Sequence, residues 1–112
     1  MYSIKPLIQG SLLTNTAAVY YTAPTGTNTR IGQMSITNTD SVPHTVTVYL
    51  ADNASAPTAA DVILPSKTLQ ANESFVVFQA LGAVVTAGGT IQAVADATGF
   101  VTLKASGTEF TQ

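Results

Sequence analysis

The chain has 112 residues, no cysteine and a net charge of −2, and only 9% of its residues are charged against a usual share of about 25%. This length indicates one domain that buries roughly two-thirds of its unfolded surface without covalent staples. The lack of cysteine excludes disulfides and thiolate metal sites. The basic residues are scattered, which argues against a nucleic-acid partner and a membrane anchor. They are Lys5, Arg30, Lys67 and Lys104.

The low charge also bears on whether the protein surface associates with other molecules. With so few ions, its polar surface must consist of Thr, Ser, Asn and Gln. Such a surface loses little when it is buried against a partner, because few charged groups are desolvated. We therefore expect assembly into a larger object; the alternative is an ordinary neutral β-domain rich in Thr and Ala.

Residues 1–8 are predicted to form an N-terminal arm, and residues 9–112 to form the β-sandwich domain. Pro6 disfavours a central strand because it cannot donate to a ladder, but the segment is too apolar for a free tail. We expect it to pack on its own domain or to dock on a neighbour. Its apolar residues are Tyr2, Ile4, Leu7 and Ile8. Pro6, Gln9 and Gly10 also interrupt the apolar run that a signal peptide would need.

Strands are predicted where apolar and polar residues alternate. A first strand over about residues 9–14 is expected to pair near the last one. Residues 30–38 form a strand in which a bulge at Gly32 would turn Ile31 inward. In the next strand, residues 45–50, the Val and Leu residues share one face and the Thr residues the other. These two strands are predicted to form a hairpin, with Pro43 in its turn.

The rest of the chain repeats this pattern. Residues 52–60 are predicted to form a loop with one helical turn beginning at Thr58. Residues 63–69 form a short strand interrupted by Pro65, which suits an edge position. Further strands are predicted over residues 74–78, 84–85, 90–95 and 100–110. About seven to nine short strands, separated by regular turn signals, favour an all-β antiparallel sandwich or barrel.

No constellation of residues predicts catalysis, a metal or a cofactor. His44 is the only histidine and is predicted to be a polar surface residue in a turn, although the Ser and Asp residues leave a Ser-His-Asp triad open. Tyr20 and Tyr21 are expected on opposite faces of one strand. One of them, exposed beside Tyr49, would make a sugar-stacking platform. The alternative to a sugar-stacking platform is that these rings pack in the core and at its margin.

Several stretches resemble a recurrent module of tailed-bacteriophage virion proteins. They are residues 21–26, 31–39 and 46–50, the turn 69–74 and the later stretches 87–93, 99–103 and 106–109. The turn is similar to the L-x-x-G/N-E-S pattern of the module, with Asn72 in place of the more usual Gly. The resemblance runs from about Val19 to Glu109 and consists of turn and strand patterns rather than functional residues.

The resemblance implies a small immunoglobulin-like or jelly-roll β-sandwich with no enzymatic activity and no cofactor. Similar proteins are capsid decoration (cement) proteins and small tail or neck components. We expect a decoration protein that is made in the cytoplasm of the bacterial host. It would bind the exterior of the assembled shell of major capsid protein, as a homodimer or homotrimer. The alternatives are a tail, neck or baseplate component and a carbohydrate-binding module used in adsorption.

The expected partner interface combines the arm with the Thr-bearing face of the strand over residues 45–50. Low charge, Thr-rich strand faces and the apolar arm favour these surfaces for contact with a shell. The interface residues predicted in this way are Tyr2, Ile4, Pro6, Leu7, Ile8, Thr45, Thr47 and Tyr49.

Overall fold

A computed structural model of the chain describes residues 2–111, and the side chains of residues 3–111. Nine β-strands account for most of this part of the chain, so the all-β prediction is confirmed. They are β1 (Tyr2–Leu12), β2 (Ala18–Thr22), β3 (Thr27–Asn38), β4 (His44–Ala51), β5 (Val62–Leu69), β6 (Ser74–Val76), β7 (Val84–Val85), β8 (Thr90–Ala95) and β9 (Val101–Thr111). Two short 3₁₀ turns cover Ala59–Asp61 and Phe78–Ala80.

The strands form two antiparallel sheets. Sheet A has the order β1-β9-β3-β6, with β7 also paired to β3, and sheet B has the order β2-β8-β4-β5. The pairs are nested along the chain: β1 with β9, β2 with β8, β3 with β6 and β7, and β4 with β5. A long hairpin wound into two sheets in this way is a jelly roll. The predicted sandwich is confirmed, and the nesting selects the jelly roll over the immunoglobulin-like alternative.

Alternation along the strands builds the core between the two sheets. In β4, Val46 and Val48 are buried, whereas Thr45, Thr47 and Tyr49 are half-buried on the opposite face, as predicted. Full burial of one such valine stabilises the fold by about 1.5–3 kcal/mol relative to an exposed one.

β3 contains the predicted bulge at Gly32. Ile31 pairs with Gly107 and Gln33 pairs with Ser106, so Gly32 is the extra residue on β3. The bulge resets the alternation, and the side chain of Ile31 is fully buried as a result.

Residues 2–8, the described part of the predicted arm over residues 1–8, belong to strand β1 of sheet A and do not form a separate arm. β1 begins at Tyr2, which pairs with Phe110 of β9. Pro6 does not prevent this strand, because β1 lies at the edge of the sheet and a register shift follows Pro6. The same shift places two consecutive side chains, Leu7 and Ile8, in the core.

The predicted hairpin of β3 and β4 is wrong, because β3 belongs to sheet A and β4 to sheet B. β9 pairs with β3 along one edge, and β6 and β7 occupy the other. No edge of β3 is left for β4, and residues 39–43 therefore cross from one sheet to the other. Turn residues such as Pro43 suit a crossing as well as a hairpin.

The sandwich has an open side between the edge strands β5 and β6. Pro65 lies in β5, as predicted for an edge, and the next residue, Ser66, has a positive φ of 37°. Lys67 of β5 reaches across to sheet A, where its Nζ lies 4.7 Å from the ring centroid of Phe75 in β6. This cation–π contact links the edge strands of the two sheets.

Candidate interaction surfaces and polar clusters

The interface residues predicted in the N-terminal segment divide into exposed and buried positions. Ile4 is 88% exposed and Pro6 is exposed, whereas Leu7 and Ile8 are buried in the core. A partner cannot reach Leu7 or Ile8 while β1 is paired with β9, so these two do not belong to a surface. The side chain of Tyr2 lies outside the described part of the chain.

The other predicted interface residues lie on sheet B. Thr45, Thr47 and Tyr49 are half-buried on its outer face, and the Thr47 hydroxyl accepts a hydrogen bond from the Ser66 N–H at 3.0 Å. The two halves of the predicted interface therefore face away from each other. One flat partner surface cannot contact Ile4 and Tyr49 together.

The outer face of sheet A exposes apolar side chains on neighbouring strands. Register places Ile4, Thr108, Arg30 and Val84 side by side on β1, β9, β3 and β7. Ile4 and Val84 are exposed at the two ends of this row, and Leu12 of β1 is 55% exposed further along the same face. Apolar groups exposed on adjacent strands mark a surface suited to contact with another molecule.

A shallow groove of about 340 Å³ runs along this face between β1, β9 and β3. It is lined mainly by uncharged polar side chains, with one lysine. The lining residues that point outward are Pro6, Gln9, Gln33, Ser35, Lys104 and Ser106. Such a groove accepts a protruding side chain without desolvating many ions.

Among residues 3–111, the charged side chains on the outer face of sheet A are all cationic. Arg30 of β3 and Lys104 of β9 are exposed there. They lie about 13 Å apart along the strands at the usual rise per residue. Glu109 of β9 points between the sheets, where it accepts a hydrogen bond from Tyr21. The other five carboxylates lie outside the strands; they belong to Asp40, Asp52, Asp61, Glu73 and Asp96.

A cluster of polar side chains joins two of the connections that cross between the sheets. His44, at the start of β4, is buried. Its Nε2 lies 2.8 Å from Asp40 in the β3–β4 connection, and its Nδ1 lies 2.7 Å from Asp96 in the β8–β9 connection. The imidazole also stacks on Phe100, with ring centroids 5.2 Å apart. We call these four residues the His44 cluster.

The geometry of the His44 cluster favours the imidazolium form. A neutral imidazole has one N–H, so donation to both carboxylates requires the second proton. These hydrogen bonds, first to Asp40 and then to Asp96, raise the pKa of His44 above 6.5. The hydrogen bond with His44, followed by that from the Ser41 N–H, lowers the pKa of Asp40 below 3.8.

The structure corrects the prediction that His44 is a surface residue. Both ring nitrogens are engaged by carboxylates, and Ser41 bonds to Asp40 rather than to the imidazole. The arrangement is therefore an electrostatic tie between two connections, not a Ser-His-Asp triad. Asp40, four residues before His44, was within reach of sequence reasoning. Asp96 was not, because it lies 52 residues further along the chain.

Asn38 reinforces the same end of the molecule. It is fully buried, and its Nδ2 lies 2.8 Å from the carbonyl of Val42 and 3.2 Å from those of Leu69 and Gln70. Its Oδ1 accepts a hydrogen bond from the Asp40 N–H at 2.9 Å. One side chain thus bonds to backbone groups of the β3–β4 connection, of the end of β5 and of the β5–β6 connection.

A second polar cluster links the sheets at the opposite end. The hydroxyl of Tyr21, in β2 of sheet B, donates to Glu109 of β9 and lies 2.6 Å from the hydroxyl of buried Thr29 in β3. Lys5 of β1 pairs with Glu109 at 3.3 Å. Burial, and then the hydrogen bond to Glu109, raise the pKa of Tyr21 to about 12. The hydrogen bond from Tyr21, more than the one from Lys5, lowers the pKa of Glu109 below 4.5. We call these four residues the Tyr21 cluster.

The tyrosines do not form the predicted sugar-stacking platform. Tyr20 and Tyr21 are both partly buried against the core, because a register shift interrupts the alternation of β2. The expectation that one of them is exposed is therefore wrong, and their packing on the core margin is confirmed. Among the described side chains, the hydroxyl of Tyr20 is a buried polar group without a hydrogen-bond partner.

Residues 2–111 contain neither a candidate metal site nor a helix that could span a membrane. No three His, Asp or Glu side chains in that range are grouped so that they could hold a metal ion. The helical segments there are the two 3₁₀ turns, and neither is long enough to cross a bilayer. No family model matches the sequence, and no curated protein or solved structure matches it either.

Proposed function

We propose that this chain is a non-enzymatic structural protein of a tailed-phage virion, and that it decorates the capsid. The observation that carries the proposal is the character of the sheet surfaces. Their outward positions are mostly Thr, Ser and Gln, with exposed apolar residues among them and few charges. A surface of this kind is buried against a protein at little desolvation cost.

Fold-level analogy points in the same direction. Jelly rolls are frequent in viral capsid proteins, and they also occur in lectins. Because one fold supports many functions, this analogy supports the proposal without carrying it. The resemblance of the turns to phage virion modules supports it independently of the fold.

The proposed mechanism is cohesive. The protein binds sites on the exterior of a shell of major capsid protein, where one contact spans neighbouring subunits. Because it binds the assembled shell and not free subunits, mass action stabilises the shell. Shell symmetry repeats one modest contact many times, and a homodimer or homotrimer would add avidity.

Two other functions remain candidates. A tail, neck or baseplate component would use the same sandwich at low copy number. A carbohydrate-binding module would need exposed aromatic rings, and the inward packing of Tyr20 and Tyr21 weighs against it.

Quantitative mass spectrometry of purified particles tests the proposal. Particles encoded by the same genome are compared for this chain and for the major capsid protein. Decoration predicts copy numbers of the same order for the two proteins. A small fraction of that number would identify a tail, neck or baseplate component, and absence from particles would refute a virion role.

A further inference from the structure

We propose that the outer face of sheet A is the docking surface, and that its partner is a protein surface bearing carboxylates. The face is defined by Ile4, Arg30, Val84, Lys104 and Leu12 around the groove. The inference rests on the proposed virion function and adds to it the contacting face and the chemistry of the partner.

Exposed aliphatic side chains are distributed unevenly between the strands of the two sheets. Sheet A presents Ile4, Leu12 and Val84 outward, at 88%, 55% and 52% exposure. On the strands of sheet B, Val19 is the large aliphatic residue exposed to a comparable degree, at 41%. Apolar area removed from water is the main favourable term in most protein association, so sheet A has more to gain.

The chain itself covers part of the outer face of sheet B. The connection between β4 and β5 folds against β8 of sheet B, where the carbonyl of Asn53 accepts from Thr90 at 2.7 Å and that of Ser55 accepts from Gln92 at 3.0 Å. Thr90 and Gln92 are buried as a result. Sheet A has no comparable cover among the described residues at the positions that line its groove.

The charges identify the chemistry of the partner. Although the whole chain carries a net charge of −2, the described side chains on the outer face of sheet A include Arg30 and Lys104 and no carboxylate. Two cations about 13 Å apart along the strands would complement carboxylates at a similar spacing on the partner. Complementary charges of this kind set orientation and association rate more than total affinity.

The same two cations argue against a second copy of this chain as the partner that docks on the outer face of sheet A. In a twofold dimer formed face to face through sheet A, Arg30 and Lys104 of one copy would oppose those of the other. Such like-charge contacts disfavour the pairing. Any homo-oligomer of this chain would therefore use another surface and leave the outer face of sheet A free for the shell.

Binding to shells that lack this protein tests the inference. The probe is particles produced with its gene deleted, to which purified protein is added in a sedimentation assay. Arg30→Gln with Lys104→Gln makes the net charge more negative by two on sheet A. Val19→Glu with Thr68→Glu, both at exposed positions, does the same on the outer face of sheet B and is the matched control.

We expect the sheet A variant to bind about tenfold more weakly or worse, and the control to bind within about threefold of the natural protein. Ile4→Ser, at an exposed position, should weaken binding without changing thermal unfolding. Raising the salt from about 0.1 M to about 1 M, which shortens the screening length from about 10 Å to about 3 Å, should weaken the natural protein more than the sheet A variant.

Three results would overturn the inference. Full binding by a folded sheet A variant would show that another face docks and would leave the decoration function standing. An equal loss in both variants would show that net charge, not this face, controls binding. If the natural protein does not bind the shells, the decoration function fails and the docking surface fails with it.

Discussion

The two ends of the sandwich are held together by different kinds of polar contact, one that depends on a protonated histidine and one that depends on an ionised glutamate. At one end the buried imidazole of His44 lies between two carboxylates and connects two crossing segments of the chain. At the other, the phenol of Tyr21 in β2 of sheet B donates to the carboxylate of Glu109 in β9 of sheet A. The first arrangement needs a proton that His44 loses as the pH rises, whereas the second needs the ionised form of Glu109. The ends should therefore respond differently to mutation and to pH.

Asn38→Ala should have the largest effect. The change removes a donor from the carbonyls of Val42 and Leu69 and the acceptor of the Asp40 N–H at the His44 end, whereas the Gln70 carbonyl keeps its hydrogen bond from the Glu73 N–H. Unsatisfied buried polar groups make the expected loss roughly 3 kcal/mol in the free energy of unfolding. Urea unfolding followed by circular dichroism measures it.

Asn28→Ala is the matched control at the Tyr21 end. Asn28 is half-buried, and its Oδ1 accepts one hydrogen bond, from the Ala87 N–H at 3.1 Å. We expect a loss below about 1 kcal/mol. Equal losses for the two variants would contradict the special role given to Asn38.

Tyr21→Phe should have the next largest effect, a loss of about 1–2 kcal/mol, because it removes the hydroxyl that bonds to Glu109 and Thr29. The same substitution at the adjacent residue, Tyr20→Phe, is the matched control. The hydroxyl of Tyr20 is buried without a partner, so its removal should leave the free energy of unfolding unchanged or raise it. A destabilising Tyr20→Phe and a neutral Tyr21→Phe would reverse the assignment of these two rings.

The contribution of the His44 cluster should depend on pH between 5.5 and 8.5, values chosen on either side of the usual histidine range. The pKa of His44 is raised above 6.5 in the folded protein, so its stabilisation is fully present below pH 6.5. It is lost as the pH rises through the folded-state pKa. The difference in unfolding free energy between the natural protein and His44→Gln should therefore be larger at the lower pH.

The Tyr21 cluster supplies the comparison for that measurement. The pKa of Glu109 is lowered below 4.5, so its stabilisation is present above pH 4.5 and is lost as the pH falls through the lowered value. The pKa of Tyr21 is raised from 10.0 to about 12, so that its titration also lies outside this pH window. The difference between the natural protein and Tyr21→Phe should stay constant. A constant His44→Gln difference would rule out the imidazolium tie.

Lys5→Ala should have the smallest effect. The ion pair between Lys5 and Glu109 is 3.3 Å long, but the lysine side chain is 45% exposed. Exposed pairs contribute little, and we expect a loss below about 0.5 kcal/mol that added salt reduces further. A loss as large as that of Tyr21→Phe would show that Lys5, and not Tyr21, holds Glu109 in place.

Local patterns predicted the strands well. Alternation identified the buried face of β4, and the phase error at Ile31 located the bulge at Gly32. Pro65 was correctly placed on an edge strand. Each of these features is determined by residues that are close together in the sequence, and such local patterns can be recognised in a single sequence.

Long-range pairing was harder to predict. The turn after β3 does not reveal that both edges of β3 are already paired, and the hairpin prediction failed for that reason. The edge strand β1 was not predicted over residues 2–8 because Pro6 disfavours a strand. The register shift after Pro6 also removes the regular alternation of apolar and polar residues that would have indicated one. Asp96 lies 52 residues from His44 and Glu109 lies 88 residues from Tyr21, so no spacing pattern could indicate these two partners.

Lysine labelling of intact particles tests the central claim most directly. The reactivity of each lysine is measured by mass spectrometry on the particle and on the free protein. Lys104 on the outer face of sheet A should be protected several-fold in the particle, while Lys67 at the open side of the sandwich reacts as it does in the free protein. Equal reactivity of Lys104 in both samples would contradict docking through sheet A.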